Sequence, residues 1–374
     1  MINKRSNNNI LKAVVIFYIS IIFLRFTFFP ADVIVNFIMV FFGFLTMLYA
    51  ASNCNIFNRF QFVFIGGLLI SYLLSALLTA NYERVFHGLI FILINCGVGL
   101  ALLSVRKIYW FGLNFNYIVI LYFAINLLAG IDPRLVFTHT SYNSISIILI
   151  TSCIVMYIFN HIEGKEISIF PALLTLFFCV WSLGRGGIIS SFFLFIGIVY
   201  YKYPDRFRNM FLLLLALLLI LSLFEIPYDF AMSYISTIDA VSLAVERSKQ
   251  VEPRFVIFND YVNNLSLYNF MFGVNIFENP TQSILDVEYN FHNSFLNLHS
   301  RMGFYALIVI GASLYSLFLF SRNNKLYFIL FSTLIIRCST DGFVFFESFD
   351  FIYYYFVFYA FSVNFKFKYF YRIQ

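Results

Sequence analysis

The chain has 374 residues, of which 61% are hydrophobic and 11% charged, and its mean hydropathy is +0.86. Soluble proteins carry about 25% charged residues, so this composition excludes both a soluble globular enzyme and a disordered chain. The net charge of +6 is scattered over short loops and points to no nucleic-acid partner.

Crossing a bilayer takes about 20 apolar residues at about 1.5 Å of rise each. Apolar runs recur along the whole chain, so the fold expected is an all-α polytopic membrane protein with about twelve transmembrane helices and one large external loop. The 53 Phe and 26 Tyr suit lipid-facing surface and interfacial belts. Met1 to Asn9 is basic and polar, but the apolar run that follows lacks a small-x-small cleavage site and is read as the first span. Spans one to four fall near 10–29, 31–51, 60–79 and 84–105, with Arg25 inside the first. Spans five to eight fall near 115–131, 144–160, 169–183 and 187–201, and spans nine to twelve near 210–226, 292–320, 325–339 and 350–365. Three regions follow: helices one to nine over 1–226, a large loop over 227–291, and the last three helices with a tail over 292–374. Cys54, Cys96, Cys153, Cys179 and Cys338 lie in or beside apolar runs without CxxC spacing, which argues against a disulfide framework and a zinc site.

Charge sets the expected orientation, because Lys and Arg collect on cytoplasmic loops. With both termini cytoplasmic, the inner side takes most of the 24 Lys and Arg, and the long loop is external. The outer side then holds Arg84, Arg134, Arg185, Arg247, Lys249, Arg254, Arg301 and Arg337. All but one of these are arginines, the residue favoured where carboxylate or phosphate is gripped through two parallel hydrogen bonds.

Four segments carry candidate chemistry. Ser182-Leu183-Gly184-Arg185-Gly186-Gly187 joins spans seven and eight with almost no loop. Its glycines permit positive φ, its bare N–H groups can form an anion-binding nest, and Arg185 sits at headgroup depth. A plain hairpin turn with a snorkelling arginine is the alternative. In the long loop, Arg254 to Phe258 reads as an amphipathic element packing back on the membrane domain, and Phe272 to Asn275 as a turn. Asp286 and Glu288 are a weak metal-site candidate and read better as a solvated face; with no other paired carboxylates in the loop, no metal or other cofactor is expected.

The loop runs into Phe291-His292-Asn293-Ser294, at the head of span ten. At helical spacing His292, Leu296, His299 and Gly303 form one stripe. A helix N-terminus keeps an imidazole neutral, which suits His292 as a general base for a hydroxyl; an interfacial histidine capping a loop is the alternative. Asn293, His299 and Arg301 lie in the same segment and are candidate substrate contacts. Between spans eleven and twelve, Arg337, Asp341, Glu347 and Asp350 are ionisable groups at a membrane boundary beside this segment, with Arg337 and Asp341 as further candidate substrate contacts. An Arg337–Asp341 pair one helical turn apart is the plainer reading of the first two.

The span number, the late external loop, Gly184–Gly187, Arg254, Gly273 and the His-Asn-x-x-Leu pattern from His292 to Gly303 resemble the O-antigen polymerase (Wzy-type) and O-antigen ligase superfamily. The resemblance implies a GT-C-type glycosyltransferase acting on undecaprenyl-diphosphate-linked oligosaccharide. It places the chain in the bacterial inner membrane, with the site at the periplasmic face. Arg185 and Arg254 match the arginines that bind the donor diphosphate, and His292 matches the position that activates the acceptor hydroxyl. A chain-length regulator and a flippase are the protein partners implied. The idiosyncratic Phe-, Ile- and Asn-rich sequence suits a polymerase, with an O-antigen ligase transferring glycan to lipid A core as the alternative. A lipid-linked oligosaccharide flippase is a second alternative, but transporters are built from repeated halves, and residues 1–187 and 188–374 show no repeat.

Overall fold

In a bilayer every backbone polar group must be satisfied within the protein, which leaves helices and closed barrels as spanning structures. The computed structural model describes residues 9–28, 33–52, 59–80, 85–137, 141, 143–205, 253–276 and 291–370, and no strand occurs among them. The first eight helices are α1 (Asn9–Thr27), α2 (Val33–Ser52), α3 (Arg59–Leu78), α4 (Val85–Ser104), α5 (Tyr109–Leu128), α6 (Asn143–Ile162), α7 (Phe170–Trp181) and α8 (Arg185–Lys202). Then come two helices of the long loop, α9 (Pro253–Asn263) and α10 (Leu267–Phe272). The chain ends in α11 (Ser294–Met302), α12 (Tyr305–Asn323), α13 (Lys325–Thr340) and α14 (Asp350–Phe370). By length and composition α2 to α6 and α12 can each cross a membrane, so the chain is a polytopic all-helical membrane protein. Helix occurs at every expected span except the ninth, near 210–226, which lies outside the described residues, as do Asp286 and Glu288.

Two helices form the interior. Every residue of α6 from Ser144 to Asn160 is buried, and so is every residue of α14 from Phe351 to Phe358. A helix apolar all round belongs in a core. Helix α4 packs against α2 and α14, α6 against α5 and α7, and α8 against α13. Two polar contacts cross this interior: Asn116 Nδ2 donates to Ser152 Oγ at 3.0 Å, and Tyr18 donates to Asn95 Oδ1 at 3.1 Å.

The tenth span differs from expectation. The apolar run over 292–320 is two helices, α11 and α12, separated at Gly303. Gly303 ends α11 with φ +54, and a Cβ there would lie 2.2 Å from the Met271 carbonyl oxygen. Met271 to Val274 passes across this break. The Phe304 N–H donates to Met271 O at 3.1 Å, and the Val274 N–H to Ser300 O at 2.7 Å. Only glycine fits where two backbones meet this closely in that conformation. Helix α11 is therefore a short, largely buried helix of its own, and the helix long and apolar enough to cross a membrane begins at Tyr305.

The loop helices are fastened to the bundle end. Ser75 Oγ donates to Phe272 O at 2.5 Å and the Tyr268 hydroxyl to Leu78 O at 2.6 Å, both at the end of α3. Between α13 and α14 the chain folds into a tight turn. Phe345 and Phe346 have φ +68 and +70, a costly region for bulky side chains. The Asp350 carboxylate holds the turn by accepting from the Phe345, Phe346 and Glu347 N–H groups at 2.7, 2.7 and 3.2 Å.

Candidate functional site

The site assembles at the bundle end covered by α9, α10 and α11. Asn293 is the N-cap of α11. Its Oδ1 accepts from the Phe295 and Leu296 N–H groups at 2.9 and 3.2 Å, and its Nδ2 donates to Ser339 O at 3.2 Å. This amide thus spends its hydrogen bonds on the helix end and on α13. His292 precedes the cap with φ +48, so it stands on the turn before α11 and outside its helical stripe. The expected alignment of His292 with Leu296, His299 and Gly303 does not occur, because the helix starts two residues after His292.

The turn carries the His292 ring to Asp341, with Nδ1 and Oδ1 3.9 Å apart. The His292 side chain is 29% exposed and Asp341 9% exposed, so the imidazole stands at the surface and the carboxylate behind it. Asp341 Oδ2 accepts from Arg337 Nη2 at 3.0 Å, and its Oδ1 from the Gly342 N–H at 2.9 Å. Burial pushes the Asp341 pKa up, but His292 and Arg337 beside it outweigh burial and bring it down to about 2. Asp341 is therefore an anion at neutral pH, within ion-pair distance of the His292 ring but beyond hydrogen-bond length. Ser294 Oγ donates to Asp341 O at 2.7 Å and takes the Phe343 N–H at 3.2 Å, which fixes the loop behind the pair.

Arg337 is 1% exposed. An arginine inside a membrane bundle must be paired and hydrogen-bonded. Besides Asp341, it donates to Thr340 Oγ1, Asn143 O and Ser146 Oγ at 3.2, 3.3 and 3.2 Å. The pair expected one helical turn apart is present, but it is also a junction of three helices. Asn143 and Ser146 open α6, Arg337 and Thr340 close α13, and α8 begins against both. A Cβ on Gly186 would lie 2.5 Å from Thr340 Oγ1, and one on Gly187 2.3 Å from the Ser146 Cβ. The glycines serve close helix contact here. The positive φ of this turn falls on Leu183, at +57, and not on a glycine as expected. Arg185 is the first residue of α8 and is exposed. The N–H groups of a helix's first turn lack intrahelical partners and favour anions.

The other expected residues fall around this centre. Arg254 lies in the first turn of α9, and its side chain lies outside the described residues. Arg301 on α11 stands 5.0 Å from the Phe346 ring of the strained turn. His299 is buried at 8% exposure and faces Tyr261 of α9, with 2.8 Å between Nδ1 and the hydroxyl. It lies inside the loop assembly and not at an open substrate face. Arg25, placed within the first span by sequence, sits near the end of α1 at this same bundle end. Its Nε donates to Asn36 at 2.6 Å and its Nη1 to Ser348 at 2.5 Å. Asn143, Ser146, Thr340, Ser294 and Tyr261 carried no local signal beyond that of helix caps and amphipathic faces. Among the described residues, no cluster of three or more His, Cys, Asp or Glu could hold a metal ion.

This is a helical membrane protein with a histidine–carboxylate–arginine chain at one end of its bundle, under a cap of short helices. Residues 170–311 match the family model described as O-Antigen ligase, consistent with the O-antigen polymerase and ligase superfamily. The match runs from α7 to the start of α12 and includes Arg185, Arg254 and His292. It supports a function of the O-antigen polymerase or ligase class, whose members are glycosyltransferase-like enzymes. No curated protein and no solved structure matches the chain.

Proposed function

We propose that the protein is a surface-polysaccharide polymerase of the O-antigen type. It joins undecaprenyl-diphosphate-linked repeat units at the external face of the bacterial inner membrane. The acceptor hydroxyl attacks the anomeric carbon of the donor sugar, and its proton passes to His292. The bond from that carbon to the diphosphate oxygen breaks, and lipid diphosphate leaves with the electron pair. Asp341, held by Arg337, keeps the imidazole oriented and stabilises the imidazolium as it forms. Arg185 and Arg254 bind the diphosphate, and their charge stabilises the leaving group. Arg301 and Asn293 border the place where sugars would lie.

The observation that carries this reading is the chain from partly exposed His292 through Asp341 to buried Arg337, which abuts the glycine turn bearing Arg185. Removing a general base typically lowers rate about 10²–10⁴-fold. His292→Ala should therefore leave cells with single-repeat lipopolysaccharide and no ladder of longer chains, while the protein still reaches the membrane. A normal ladder would refute the base assignment. The ligase reading has one observation in its favour, the description of the matching family model. Loss of all attached glycan, the single repeat included, would support it.

A further inference from the structure

The cap over the site contains one buried polar contact that the proposed chemistry does not use. Tyr261 of α9 is 5% exposed, and its hydroxyl lies 2.8 Å from His299 Nδ1 on α11. The Tyr261 ring also meets Phe291 edge-on, at 5.1 Å between centroids, and Phe291 immediately precedes His292. Ile257, Tyr261, Ile276 and Phe291 form a small core separate from that of the bundle. Tyr261 thus touches both ends of the segment that presents His292.

Helix α9 also carries Arg254. Positions 254 and 261 are seven residues apart, within about 20° of two full helical turns, so they share one stripe of α9. Two backbone crossings at Ser300 and Met271 pin α10 to α11. Among the described residues, α9 makes its polar contact to α11 through Tyr261 and His299. A lone small core of this size leaves a helix free to roll and slide, whereas a buried hydrogen bond specifies its register.

We infer that Tyr261 and His299 are positioning residues: their hydrogen bond sets the register of α9 on α11, and with it the placement of Arg254 relative to His292. This rests on the reading of Arg254 as a donor-diphosphate ligand. The consequence is a defect in donor binding and not in the chemical step. A buried hydrogen bond of this kind contributes about a 3- to 10-fold effect.

The test uses the full-length protein in nanodiscs, with lipid-linked repeat units extracted from cells that lack it. Tyr261→Phe keeps the ring packing and removes only the hydroxyl. It should raise the donor KM about 3- to 10-fold with kcat nearly unchanged. His299→Gln, which keeps a polar partner, should be milder than His299→Leu. In an Arg254→Ala background, Tyr261→Phe should add nothing, because coupled residues are not additive. Wild-type kinetics from Tyr261→Phe beside an impaired Arg254→Ala overturns this inference alone. So does a loss in kcat at unchanged KM, or full additivity of the two changes. Wild-type kinetics from Arg254→Ala overturns both the inference and the donor-site reading beneath it.

Discussion

Arg337 and Asp341 are each other's condition for burial. Removing one partner of a buried pair leaves an uncompensated charge and costs about 3–5 kcal/mol, whereas replacing both with neutral groups is far cheaper. Arg337→Met alone should therefore lower the amount of folded protein in the membrane, and adding Asp341→Asn should restore much of it. Activity should not return with the double change, since His292 has then lost its carboxylate; fluorescence size-exclusion and the polymer ladder read these two outcomes separately. Arg185 invites a different experiment. It is exposed at the start of α8, so its side chain has little packing to lose. Arg185→Lys keeps the charge but loses the planar two-point grip on an oxyanion, so it should abolish most polymer while membrane levels hold. A fully active lysine variant would reduce Arg185 to an interfacial anchor.

At the scale of elements, Gly303 separates a short, largely buried helix from one long and apolar enough to cross a membrane. The break does two things: α11 can lie under the cap, and His292 can stand before a helix instead of at its first membrane turn. Gly303→Ala would force φ +54 on a residue with a Cβ and drive that carbon toward the Met271 carbonyl, 2.2 Å away. Overpacking and strain of this sort cost about 1–3 kcal/mol. The expected result is faster amide exchange and proteolysis across Leu267 to Asn275, with α4, α6 and α14 unaffected. Equal protection of that segment in wild type and variant would refute the clasp. Gly187 makes a similar demand where α8 meets Ser146, but there the consequence would be a displaced Arg185 and not a loosened cap.

For the whole molecule, charged side chains among the described residues and their hydrogen-bond partners gather at two ends. One end gathers Arg25, Asn36, Ser348, His292, Asp341 and Arg337. The other gathers Arg106 on Ile162 O, Lys202 on Glu166, and His161 with Asn324. This grouping at opposite helix ends is consistent with the charge bias of the loops, from which the site end is expected to face outward. Reporter fusions after Arg208 should accordingly read cytoplasmic, and fusions near Lys249 external; the reverse would move the whole site to the wrong side for a lipid-linked donor presented externally.

The all-helical membrane class follows from hydropathy alone, because a bilayer admits no other use for repeated apolar runs of this length. The segments worth testing were also visible in the chain: glycine-flanked Arg185, His292 after a long polar stretch, and an Arg337–Asp341 spacing of one turn. What those residues do together depended on contacts between positions far apart. Arg337 reaches Asn143 and Ser146 across more than 190 positions of sequence, and no local pattern encodes such a meeting. The break at Gly303 was hidden for the same reason. Its cause is the backbone of Met271 to Val274 crossing from the loop, while the apolar run over 292–320 reads as one helix in isolation. Hydropathy and propensity act between near neighbours, whereas the placement of a base beside its carboxylate is settled only when distant helices pack.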